Sequence, residues 1–195
     1  MTDYAARADA ILAEWVTTPV LRRHCQAVAA SMRHFAGHSG ADADLWYAVG
    51  LLHDMDFERH PTLGDGPDNH PFVGVAYLRE QGWSDEVCRA ILSHADYSGV
   101  SRDSTLEKTL FAVDELSSFV LAVAMVKPSK SIDEVEPASV RKKMKDKAFA
   151  RAVHREDIIA GAAGLDMDLD ALIAEVIVAI TADAARLGVA GAAGG

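Results

Sequence analysis

"GLLHDMDFERHP", residues 50–61, begins as an apolar helix and then sets His53 and Asp54 side by side where that helix should meet a core. Burying an unpaired carboxylate costs several kcal/mol, so other groups in the chain must compensate Asp54. Outward from this stretch, apolar residues recur at spacings of three and four and nowhere sustain an alternation of two, which predicts an all-α fold, a single-domain helical bundle. With 195 residues, 50% hydrophobic and 25% charged, the chain suits one packed domain. That domain is expected over residues 1–187, and the glycine- and alanine-rich tail 188–195 is expected to be disordered.

The helices are set by their punctuation. The first is expected from Asp3 to Val16, stopped by "TTP"; the second from Pro19 to Gly37; the third from Asp42 or Asp44, with Leu45, Val49 and Leu52 as its stripe. "FERHPTLGDGPDNH" (57–70) reads as a loop, with Pro71 opening the fourth helix and Gly82 ending it. Ser84 caps the fifth, Thr105 opens a long sixth without a full capping box, Pro137 starts another, and two more are expected over 155–163 and 168–187.

Polar residues intrude on the apolar faces. His24 shares a face with Leu21, Val28 and Phe35; His53 with Val49 and Leu52; His94 with Val87 and Ile91; Asp114 with Leu106, Leu110 and Leu121. His70 stands at the mouth of the fourth helix. A lone histidine on such a face is ordinarily a hydrogen-bonded core residue. Six inward groups on five helices, His24, His53, Asp54, His70, His94 and Asp114, ask for divalent transition metal, because imidazole and carboxylate suit such cations and the cation offsets the desolvation of the carboxylates.

The order His24, His53-Asp54, Asp114 resembles the H...HD...D signature of the HD-domain metal-dependent phosphohydrolases, over roughly residues 20–120. His70 in "NHPFVGVAYLREQG" and His94 in "ILSHADYSG" look like the two added ligands of the dinuclear branch. That branch includes symmetrical bis(5'-nucleosyl)-tetraphosphatases, HD-GYP cyclic-dinucleotide phosphodiesterases and a few mixed-valent diiron oxygenases. "TLEKTLFAVDELSSF" is similar to the tetraphosphatase helix that supplies the last aspartate. Met55-Asp56 replaces the common Ile-Gly and no GYP element follows His94, so cyclic-dinucleotide specificity has no support. The resemblance implies two metals per chain, of the Fe, Mn, Zn, Co or Ni class. One is held by His24, His53 and Asp114 with Asp54, the other by His70 and His94, with Asp54 shared and His53-Asp54 central to catalysis. The reaction expected is hydrolysis of a phosphoester or phosphoanhydride by metal-activated hydroxide, on a small, nucleotide-like substrate. Alternatives from other classes are a diiron oxygenase using the same ligands and a non-catalytic metal- or nucleotide-binding module.

The remaining readings bound partners and substrate contacts. A net charge of -10 argues against nucleic acid as a partner. Two distant cysteines, Cys25 and Cys88, suggest neither disulfide framework nor thiolate site and suit a reducing cytoplasm. The amino terminus lacks an uninterrupted apolar segment, and the longest apolar run, "FVLAVAMV", is too short to span a bilayer. The segment "KPSKSIDEVEPASVRKKMKDK" (127–147) holds seven of the nineteen lysines and arginines. It reads either as a solvated face or as a phosphate clamp formed by Lys127, Lys130, Arg141 and Lys145. Asp56, Glu58 and His60 are candidates for the substrate mouth, while His34, His38 and His154 read as surface or cap residues.

Overall fold

In the computed structural model, which describes residues 3–191, ten α-helices occur among the described residues and no β-strand does. The first, α1 (Tyr4–Trp15), starts where Asp3 accepts a hydrogen bond from the Ala6 amide at 3.0 Å, and buries Ala8, Leu12 and Trp15. The long α2 (Pro19–Ser39) has proline in its first turn, where the missing N–H is harmless. It runs two residues beyond the expected end: Gly37 stays helical, and Gly40 takes the left-handed turn at φ 66°.

Asp42 caps α3 (Ala43–Leu52), accepting from the amides of Asp44 and Leu45. Every residue of α3 from Leu45 on is buried, because the helix is enclosed by α1, α2 and the two helices α5 and α6 described below. Gly50 permits the enclosure. A Cβ there would stand 2.8 Å from Met32 Cγ and 2.9 Å from Ala29 Cα, so α3 and α2 touch backbone to backbone three residues before His53.

After the loop come α4 (Phe72–Glu80) and α5 (Asp85–Ser93), then a 3₁₀ turn at Asp96–Ser98. The long α6 (Thr105–Met125) corrects one expectation. Its start does carry a full capping box, one residue earlier than read: Ser104 accepts from the Glu107 amide and Glu107 accepts from the Ser104 amide at 2.8 Å. Helices α7 (Pro137–Met144), α8 (Arg155–Gly164) and α9 (Leu169–Ala182) pack on α6, and α9 also packs on α2.

The last expected helix is two. It breaks at Asp183, whose carboxylate turns to the Arg186 guanidinium, and α10 (Ala184–Leu187) follows. Nor does the chain loosen at Gly188. Val189 is buried, its carbonyl accepts from the Ile132 amide at 2.8 Å, and its own amide donates to Ala184 O. An apolar side chain and two backbone bonds fix this stretch; the rest of the expected tail, 192–195, lies outside the described residues. Among the described residues no helix is long and apolar enough to cross a membrane.

Gly50→Ala tests the α2–α3 contact. Alanine gains up to about 1 kcal/mol of helix propensity, but forcing a methyl into backbone costs about 1–3 kcal/mol. The expected outcome is a lower urea midpoint together with reduced metal retention, since the same contact positions His53.

Candidate metal centre

The six inward residues converge. His24 comes from the first third of α2, His53 caps the carboxyl end of α3 with Asp54 just beyond it, and His94 likewise caps α5. His70 stands two residues before α4, and Asp114 lies mid-way along α6. His24 and His53 approach Nε2 to Nε2 at 3.0 Å, and both face Asp114 Oδ1, at 3.2 and 3.3 Å. His70 and His94 meet Nε2 to Nε2 at 3.2 Å, and both face Asp54 Oδ1, at 3.2 and 3.5 Å. The other oxygen, Asp54 Oδ2, lies 3.3 Å from His24 Nε2. Asp54 Oδ1 also lies 3.6 Å from His53 Nε2, so this one carboxylate stands between the two histidine pairs.

Donors about 2.1 Å from a shared cation stand about 3.0–3.5 Å from one another. The two trios, His24–His53–Asp114 and Asp54–His70–His94, have that spacing. All four rings aim Nε2 inward because each Nδ1 is engaged elsewhere. His53 Nδ1 donates to Gly50 O at 2.8 Å, His94 Nδ1 to Ile91 O at 2.5 Å, and His70 Nδ1 to the Asp56 carboxylate at 2.6 Å; His24 Nδ1 meets the Ser118 hydroxyl at 2.7 Å. A carbonyl or carboxylate can only accept, so the proton sits on Nδ1 and the Nε2 lone pair is left for a cation.

Without a cation, protons must do its work. Burial disfavours the charged rings, yet hydrogen bonds to Asp114 and Asp54, and their charges, raise His24 to about 10. Burial opposes His70 in the same way, but Asp54 and Asp56 raise it to about 9. Burial works against the ionised carboxyls of Asp54 and Asp114 too, but the neighbouring histidines, His53 foremost, hold both well below the ordinary carboxylate range.

Other expected residues sit differently. Asp56 is not at the substrate mouth: it is fully buried and holds His70 and the Gly74 amide, the latter at 2.7 Å. Glu58 accepts from the Thr17 and Thr18 amides ahead of α2, and hydrogen bonds from Thr17 and Thr18 pull its carboxyl down to about 2. His60 is half-buried, with no side-chain hydrogen bond among the described residues. Cys25 and Cys88 are buried, which pushes both thiols up and keeps them protonated.

The basic segment does not reach the cluster through any hydrogen bond or ion pair among the described residues. Lys127 lies thirteen positions beyond Asp114, about 20 Å along the axis at 1.5 Å per residue. Lys130 is exposed past it, Arg141 pairs with Asp170 of α9 at 3.6 Å, and Lys145 is exposed at the end of α7.

Closer to the cluster stand residues that the sequence pattern does not single out, linked to it through the His94 carbonyl and through Glu115 beside Asp114. Arg102 donates to the carbonyls of Ser93 and His94 and pairs with Asp96. It lines a cavity of about 290 Å³ with Lys108, Phe111 and Asp157. Lys108 and Phe111 continue the α6 face that carries Asp114 and Glu115. Burial, then the charge of Asp114, raises Glu115 to about 7, and it pairs with His154 at 3.1 Å. Burial and the charges of Asp54, Asp56 and Asp114 push Tyr97 up to about 12, so its hydroxyl stays a donor. The signal for Asp56 was its place two residues past Asp54, and for Ser118 its place one turn past Asp114. Tyr97 and Arg102 had none.

The HD domain sequence profile matches residues 21–119, which spans α2 through most of α6 and contains all six convergent residues. The chain belongs to the HD domain family. HD domains form a superfamily of metal-dependent phosphohydrolases that bind divalent cations, and the two His/Asp trios are this HD domain's candidate ligands. No curated protein and no solved structure was found to match the chain.

The raised histidines give a signed prediction. Metal ligation needs neutral Nε2, so loading the metal-free HD domain with Mn²⁺ or Zn²⁺ at pH 8 should release about two protons per chain, measured by pH-stat titration. Apparent affinity should rise with pH up to about 9–10, where His70 and His24 lose their protons unaided. In metal-free protein the sign for stability is opposite: the raised histidines stabilise fully below their ordinary range, and that contribution is lost as pH climbs through about 9 to 10.

Proposed function

We propose that this HD domain is a dinuclear metal-dependent hydrolase that cleaves a phosphoester or phosphoanhydride bond of a small, nucleotide-like substrate. The observation that carries the reading is Asp54, whose Oδ1 faces His70 and His94 while its Oδ2 faces His24. A carboxylate so divided suits two cations better than one. His24, His53 and Asp114 would hold one cation, and His70 and His94 the other. Cations bound there would supply a water acidic enough to attack at neutral pH and would neutralise the phosphoryl oxygens.

The chain's own groups supply the rest. The Nδ1 contacts to Ser118, Gly50, Asp56 and Ile91 hold the four rings in register. Tyr97, kept protonated, would be available to donate a hydrogen bond to a phosphate held by such cations. Lys108 lines the adjoining cavity with Arg102, itself paired with Asp96, and further phosphates or a leaving group would lie there. Glu115, with its carboxyl near pH 7 and His154 beside it, holds a proton at the rim.

Metal content and turnover of a generic phosphodiester with added manganese test the assignment together. The wild type should bind about two metals per chain, and His94→Ala should bind about one and lose most activity, because a direct ligand of one cation is gone. Asp54→Asn should lose both metals and all activity, since the amide keeps the shape but not the charge. A wild type that binds a single metal, with His94→Ala still active, would rule out the dinuclear reading. Oxygen consumption by the ferrous protein without hydrolysis would instead place it with the diiron oxygenases of this fold.

Lys108→Ala tests the rim separately. Its KM for a phosphorylated substrate should rise several-fold at low salt with metal content unchanged, whereas Arg141→Ala should leave KM as it is.

A further inference from the structure

Ten residues past His24, where α2 packs on α9, a further group of side chains able to ligate a metal meets. His34 and His38 are four apart, so both rings rise from one helical face. Glu175 reaches them from α9. Its Oε2 lies 2.6 Å from His34 Nε2 and 3.7 Å from His38 Nε2, and the two rings stand 4.6 Å apart at 58°. The three donor atoms all lie within 4.8 Å of one another.

Hydrogen bonding accounts for only part of this. The His34–Glu175 contact is a short bond, but 3.7 Å is too long for one. His38, 54% exposed, has open solvent to turn into, yet its Nε2 is aimed at the same oxygen that His34 already occupies. Two imidazole nitrogens and one carboxylate oxygen converge there, and two histidines four apart on a helix are a recurrent way to present a coordination set; the His34–Glu175 pair, at 2.6 Å, would open to about 3.0–3.5 Å around a cation that replaces its proton.

We propose that His34, His38 and Glu175 form a further metal site that takes zinc, or a divalent cation of similar softness, and fastens α2 to α9. The donor set decides the class: calcium and magnesium want oxygen shells, whereas two imidazoles and a carboxylate suit zinc. Three protein ligands leave a fourth tetrahedral position open to water or an incoming donor. His34 also lines a cavity of about 430 Å³ with Tyr47, Arg33 and Arg186, so an anionic donor at that position would find two guanidinium groups nearby. The site is distinct from the HD centre, since His34 lies about 15 Å along α2 from His24. It nevertheless grips the helix that carries His24, so its occupancy bears on the rigidity of both.

The test uses the full chain and zinc itself. Zinc bound at equilibrium, measured by dialysis and elemental analysis, should fall by about one equivalent per chain in His38→Ala and in Glu175→Gln relative to wild type. The helical circular dichroism should not change, because His38 and Glu175 lie at the surface. Zinc should also raise the melting temperature of the wild type further than that of either variant. His60→Ala, which removes a histidine outside both clusters, should match the wild type in both readouts. Equal zinc content and equal zinc-induced stabilisation in wild type, His38→Ala and Glu175→Gln would overturn the proposal, leaving an ion pair between two helices.

Discussion

Two carboxylates, Asp54 and Asp114, are enclosed where five segments of the bundle meet, and the fold is arranged around the cost of keeping them charged. Their side chains retain only 18% exposure each, so water cannot solvate them as it would at a surface. Four Nε2 atoms stand within 3.6 Å of their oxygens. That neutralisation works in either of two currencies, protons on the histidines or cations between the groups. Removing both leaves a buried repulsion no apolar packing can offset. The histidines are therefore structural when the site is protonated and ligating when it is filled, and the same Nδ1 contacts serve both states.

Holding six side chains to this spacing demands close backbone approach. Gly50 lets α3 lie against Ala29 of α2, and its carbonyl then orients His53. Buried serines perform the matching task between α2 and α6: Ser31 and Ser117 meet at 2.9 Å, and Ser118, next in the chain, receives His24. Small residues at the crossings and polar contacts beside them convert helix packing into ligand geometry. A larger residue at any of these crossings would move a ring before it unfolded a helix.

The sequence carried the helices and the ligands because both are written in local pattern. Apolar spacing placed α1 to α6 within a few residues, and the same spacing revealed His24, His94 and Asp114 as polar groups on apolar faces. What it missed depends on tertiary partners. Glycine composition predicts an end of α2 at Gly37, where nothing forces a left-handed turn, whereas the chain makes that turn at Gly40. Asp56 reads as a loop carboxylate until His70 arrives from fourteen residues away to bond it. Val189 reads as tail until Ile132 is seen to pair with it. Tyr97 and Arg102, in the short connection between α5 and α6, belong to the rim only because that connection folds back beside His94.

Charge density alone does not place a phosphate site. The segment 127–147 stands out in an acidic chain, but its acids are interleaved, Arg141 answers Asp170, and Lys127 lies about 20 Å along the axis from Asp114, more than two Debye lengths of about 8 Å. At that distance and exposure its field is screened before it reaches a substrate at the centre. Lys108 stands six positions from Asp114, about 9 Å along α6, and lines a concave surface there with Arg102, which Asp96 answers. For an anionic substrate at such a centre, the position of a cation relative to the metal ligands counts for more than the number of cations elsewhere in the chain.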